Sequence, residues 1–131
     1  MQSTQTDRSE QIEHSKKLAC ITAKIANEYR GKDTIVLDTT AITPIFDFMI
    51  LTTATSRRQM HAIAEEVDRV LKDEGSRRIG REGYESSAWI LQDYGDLLLH
   101  VLSPEARDLY ELERLWGDAS RVDWHAHLEQ L

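Results

Sequence analysis

The sequence predicts an α/β domain: a mixed β-sheet of about five strands with flanking helices. Three observations carry that prediction. Apolar residues recur at helical spacing in three segments. Short β-branched or apolar runs stand in adjacent groups between those segments. One pair of runs is joined by Asp93-Tyr94-Gly95-Asp96, which offers Gly95 where a hairpin turn needs positive φ. Adjacent strands favour hairpins, while a helix between two strand groups allows a crossover, so a mixed sheet is favoured over a doubly wound parallel one. At 131 residues with 40% hydrophobic content the chain has the size of one domain, with a radius of gyration of about 14 Å.

Residues 1–9 are polar and aperiodic and are predicted to be disordered. From about Glu10 to Tyr29, Leu18, Ile21, Thr22, Ile25 and Tyr29 recur at helical spacing, and Gly31 stops the pattern. Asp33 to Asp38 is a β-branched run and hence a strand; Thr39 to Ile45, with Pro44, turns the chain so that Phe46 to Thr53 returns beside it. Ser56 is placed to cap a helix over about Arg57 to Asp73, with Met60, Ile63, Ala64, Val67, Val70 and Leu71 on one face. Arg57 and Arg58 oppose the dipole at its start, a local rule broken in a way that points to a surface task.

Gly75 ends that helix, and Arg77 to Gly80 reads as a short strand. Trp89 to Leu91 and Leu97 to Leu102 are the two strands of the hairpin, the second apolar on both faces and therefore interior to its sheet. Ser103-Pro104-Glu105 supplies a cap hydroxyl, a first-turn Pro and an acid, so a helix begins at about Pro104. In it Leu109, Leu112, Leu115 and Trp116 form a core-facing stripe, with Tyr110 off the stripe. Beyond Asp118, residues 119–131 are too sparse in apolar positions for more than a short helix and read as a C-terminal tail to a 10–118 domain.

The formal net charge of −7 repels nucleic-acid phosphates and makes a basic protein the easier partner. No apolar run approaches the ~20 residues of a membrane span, and the N-terminus lacks a signal core, so the expected location is cytoplasmic with no membrane partner. A lone Cys20 excludes an intrachain disulfide and a thiol metal cluster and reads as core filler. His125 and His127 lack further ligands, so no metal site is expected.

Taken together, Asp38 to Ala54, Ser56-Arg57-Arg58-Gln59, Ala62-Ile63-Ala64, Glu82-Gly83, Trp89, Asp93-Tyr94-Gly95-Asp96, His100, Arg107-x-x-Tyr110 and Leu112-Glu113-x-Leu115-Trp116 resemble the ribosomal silencing factor S (Iojap-like) family. The match runs in order and spacing from about residue 15 to 118. The resemblance implies a mixed-sheet α/β domain with nucleotidyltransferase-like topology but no catalysis and no cofactor. It further implies binding to the large ribosomal subunit through its fourteenth ribosomal protein, which obstructs joining of the small subunit. One departure is Ala54, where the family usually has Gly; Ala adopts positive φ less readily, which puts a role for that loop in doubt.

Trp89, Asp93, Tyr94 and Asp96 place aromatic area beside carboxylates in one hairpin, a combination suited to docking on a basic protein, and Arg57 and Arg58 join them as candidate partner-binding residues. The plainer reading makes Trp89 core and the other three turn residues. His100, in an apolar strand, reads as neutral and hydrogen-bonded in the core. A nucleotidyltransferase would need closely set carboxylates and a Gly-containing phosphate loop; Asp93 and Asp96 straddle a turn, and Ala54-Thr55-Ser56 has no Gly. An RNA-binding assembly factor would use Arg57, Arg58, Arg77, Arg78 and Arg81, against the net charge and without a recognised RNA motif, so no specific nucleic acid is expected. An apolar hairpin or helix surface also allows a homodimer when the protein is free, to be competed away by the ribosomal partner.

Overall fold

The computed structural model describes residues 4–130. The elements are α1 (Thr4–Glu28), β1 (Lys32–Asp38), β2 (Phe48–Thr53), α2 (Arg57–Asp73), β3 (Gly80–Glu82), β4 (Trp89–Asp93), β5 (Leu97–Leu102), α3 (Pro104–Tyr110), α4 (Leu112–Leu115), β6 (Ser120–Val122) and α5 (Trp124–Glu129). One six-stranded sheet has the order β3-β4-β5-β2-β1-β6. Only β2 and β5 pair in parallel, and every other neighbour is antiparallel, so the sheet is mixed.

The parallel pair lies at the centre because α2 and the β3–β4 excursion carry the chain back to the end of the sheet where β2 began. Helices α1 and α2 cover one face, burying Val36, Phe48, Ile50, Ile90, Leu97, Leu99 and Val101 against Leu18, Ile25, Met60, Ile63, Val67 and Leu71. On α1 the small residues Ala19, Cys20, Ala23 and Ala26 are wholly buried, and burial pushes the Cys20 thiol up to about 11, as expected of inert filler. Helix α2 starts as its sequence dictates: Ser56 Oγ accepts from Gln59 N at 3.1 Å, and Gln59 Oε1 accepts from Thr55 N at 2.8 Å.

Several boundaries differ from the sequence expectation; the short strand expected over Arg77 to Gly80 forms instead at Gly80–Glu82, where Arg81 and Glu82 pair with Gln92 and Leu91. Residues 4–9 are helical rather than disordered, and Arg8 reaches the buried Asp47 carboxylate at 2.7 Å; residues 1–3 of that expected segment lie outside the described residues. Residues 119–130 are part of the domain rather than a tail, since β6 pairs with β1 and Trp124 is buried with its Nε1 donating to Thr34 O. The helix after Pro104 breaks at Glu111, which sits at φ 45 and splits it into α3 and α4. Ala54, by contrast, has no positive φ, and its N–H bonds Leu102 O at 2.9 Å, so its backbone conformation does not call for Gly.

Candidate functional site

The second face of the sheet is covered only in part. Strand alternation directs Met49 and Leu51 of β2, Trp89, Leu91 and Asp93 of β4, and Leu98, His100 and Leu102 of β5 away from α1 and α2. Over β5, β2 and β1, helices α3 and α4 close a second core of Leu37, Phe46, Met49, Leu51, Leu102, Ala106 and Leu112, with the Phe46 ring edge-on to Trp116 at 5.4 Å. Toward β4 the cover stops. Trp89, Leu91 and Leu98 are half-buried, and Tyr110, 48% exposed, lays its ring 4.8 Å from Trp89.

The outer side of α3 and α4 extends this surface with Leu109 and Leu115, each 73% exposed. Their exposure corrects the predicted core stripe: the helix breaks at Glu111, α3 turns Ala106 inward and leaves Leu109 outside, and beyond the break Leu112 and part of Trp116 join the core. Glu82 of β3 and Asp93 of β4 share this face, and Glu105 and Asp108 are exposed on α3. The result is an aromatic and aliphatic area with an acidic surround, the composition that anchors a protein partner and favours a basic one.

Trp89 is fixed from below: its Nε1–H donates to His100 Nδ1 at 3.0 Å, with ring centroids 5.7 Å apart. Burial alone pushes the His100 imidazole down to about 4, so it is neutral, as its apolar strand predicts. Among the described residues, its Nε2 is buried without a partner.

Of the other predicted site residues, Asp93 alone shares the face of Trp89, opposite Leu98. Tyr94 is a correction: it is 5% exposed, on the α2 side of the sheet, with its hydroxyl accepting from Gln92 Nε2 at 2.8 Å and donating to Asp68 Oδ1 at 3.1 Å. Strand β4 continues to Asp93, two residues past its predicted end, and alternation then turns Tyr94 inward. Asp93 Oδ1 accepts from Gly95 N at 2.7 Å, where Gly95 takes φ 87, and Asp96 Oδ2 accepts from Ser15 Oγ. Each carboxylate thus holds a local hydrogen bond, to the turn and to α1, and keeps its charge; this end of β4 stands roughly 13 Å from Trp89.

Arg57 pairs with Glu85 at 3.0 Å and Arg58 is exposed, both at the start of α2 on the opposite face from the apolar patch. Nor do the arginines gather: Arg78 pairs with Asp68 at the far end of α2, and Arg81 is held by Glu65, by Gln92 and over the Tyr84 ring. Among the described residues, no group of three His, Cys, Asp or Glu side chains is placed to hold a metal ion, and no helix is long and apolar enough to cross a membrane. Sequence reasoning missed Leu91, Leu98, Leu109 and Leu115 as surface, while Tyr110, expected off the core stripe, is exposed. The available signal was that Leu98 and Leu102 share a face with His100, a polar group in an apolar strand.

Comparison with known proteins agrees with this architecture. The family described as "Ribosomal silencing factor during starvation" matches residues 12–130. The ribosomal silencing factor RsfS of Chromobacterium violaceum is 42% identical over 107 residues, covering 82% of this chain and 85% of that protein. Its counterpart in Halalkalibacterium halodurans is 32% identical over 109 residues, covering 83% and 93%. A crystal structure of a Chromobacterium violaceum protein superposes with a TM-score of 0.71 at 43% identity, covering 80% of this chain and 84% of that one. With the match spanning both sheet edges and the α3–α4 cover, the chain belongs to the ribosomal silencing factor (RsfS) family.

Proposed function

We propose that this protein lowers translation by docking on the large ribosomal subunit through its fourteenth ribosomal protein and standing in the path of the small subunit. Family membership supplies the ribosome-associated regulatory role. The observation that supports docking is the uncovered β4–β5 face, where Trp89, Leu91, Leu98 and Tyr110 remain half-buried or exposed beside acidic residues. Aromatic anchors of this kind supply desolvated contact area, and a net charge of −7 steers a basic ribosomal protein toward them. Of the residues singled out from the sequence, Trp89 is an anchor, Asp93 and Asp96 contribute field, Arg57 and Arg58 lie outside the face, and Tyr94 supports the hairpin from within.

Blocking requires bulk and affinity alone. A domain about 30 Å across is far thicker than the ~4 Å contact distances of a packed interface, so no catalytic step, cofactor or metal enters the mechanism. The protein acts where ribosomes are, in the cytoplasm. When free, it buries the same apolar face by self-association, and the ribosomal partner displaces the second copy.

The test mixes separated subunits with the protein and sediments them. Wild type co-sediments with large subunits and lowers the joined fraction; a Trp89→Ala/Tyr110→Ala variant with native far-UV circular dichroism binds at least about tenfold more weakly. Absence of wild type from the large-subunit peak at low salt defeats docking, while retention without a change in joined ribosomes defeats blocking.

A further inference from the structure

We infer that His100 is a specificity-determining residue of the docking face, holding its Nε2–H ready for a neutral oxygen acceptor, a main-chain carbonyl, of the partner segment that seats on Trp89, Leu91 and Leu98. The inference rests on the docking proposed above and adds what the partner must present there.

The tautomer follows from elementary chemistry. An indole N–H only donates, so the 3.0 Å contact from Trp89 Nε1 makes His100 Nδ1 the acceptor. The ring is neutral, and its one proton therefore lies on Nε2. That N–H is the single buried side-chain polar group without a partner among the described residues. Its neighbours by strand register and alternation are Leu51 on β2, Leu91 on β4, and Leu98 and Leu102 on β5, none of which carries a side-chain acceptor.

The helix-covered face is treated differently. There Gln92, fully buried, donates to Ala64 O and Tyr94 Oη and accepts from Arg81, and Thr22 donates to Leu18 O. Buried donors are ordinarily satisfied, and one left over calls for an explanation. Here it lies on the sheet face that α3 and α4 cover only in part, with the half-buried Leu91 and Leu98 as its neighbours in the register. A segment that packs on Trp89, Leu91 and Leu98 and shifts their side chains meets the donor with a carbonyl. Glu82 and Asp93, paired into the same face from β3 and β4, disfavour a carboxylate in that place and leave a neutral oxygen as the fitting acceptor.

Trp89 then has two tasks: it offers its ring to the partner, and its N–H fixes which imidazole nitrogen carries the proton.

The experiment uses full-length protein labelled with ¹⁵N at histidine and the purified fourteenth large-subunit ribosomal protein as probe. On complex formation, the Nε2–H resonance of His100 moves downfield and its exchange with water slows. His100→Phe, which fills the volume without a donor, binds about tenfold more weakly, and His100→Gln, which keeps a donor near the Nε2 position, recovers most of that loss. Binding by wild type with an unchanged His100 resonance, or equal binding by a folded His100→Phe variant, overturns this inference and leaves docking intact. If wild type does not bind the probe, both fall. The resonance is read on the wild-type protein, so the decision does not depend on either variant folding.

Discussion

The Tyr94 hydroxyl is bonded on both sides, to Gln92 and Asp68, and burial holds its proton well above the ordinary phenol range. Tyr94→Phe is therefore expected to lower stability to urea by about 1–2 kcal/mol while leaving retention by large subunits unchanged; lost retention at wild-type stability would return Tyr94 to the interface. His100 gives a second expectation. Its folded value is pushed down to about 4 by burial, against about 6.5 when unfolded, so as pH falls the unfolded chain takes up the proton first. The stability linked to His100 is full above about pH 6.5 and is lost as pH drops toward 4, on the order of 3 kcal/mol in all. A His100→Phe variant should show a shallower slope in this window, and identical slopes would assign the effect to other groups. At this scale residue type was legible in the sequence and direction was not. Gly95 announced the turn, but whether Tyr94 faced water depended on two more residues of β4, which carry no local signal.

Where a side chain points is settled one level up, by how elements begin and end. Helix α2 was readable to the residue because Ser56, Gln59 and an unbroken apolar stripe all agree. The segment after Pro104 was not, because its stripe of Leu109, Leu112, Leu115 and Trp116 satisfies helical periodicity straight through a break. Tertiary contacts override periodicity there. Arg107, with its side chain nearly covered, bonds Glu113 at 2.6 Å, Thr53 Oγ1 at 2.9 Å and Asp33 O at 2.8 Å, tying α3 to the start of α4 and to the ends of β1 and β2. Glu111 absorbs the bend in a left-handed conformation that is unfavourable for a side chain. Glu111→Gly should accordingly raise stability by about 1 kcal/mol in thermal melts. A drop of that size would mean that the Glu111 side chain contributes more than its backbone conformation costs.

For the molecule as a whole, the α/β class, the mixed sheet and the central hairpin were all present in the pattern of apolar runs. The sixth strand was not, since Ser120-Arg121-Val122 is too short and polar to announce itself and becomes a strand only because β1 offers it an edge. Trp124 anchors that addition against α1, so Trp124→Ala is expected to lower global stability by about 3 kcal/mol with a parallel shift of the whole unfolding transition. An unaltered midpoint would make residues 119–130 an ornament to the fold. The pairing of β1 with β6 joins segments far apart in the sequence, which has a bearing on how the protein is made. Until β6 has been synthesised, Ile35-Val36-Leu37 is a bare sheet margin that can recruit a strand from another nascent molecule. A premature stop shortly before Ser120 would thus leave more than a shorter protein: it would leave one that coalesces with its siblings.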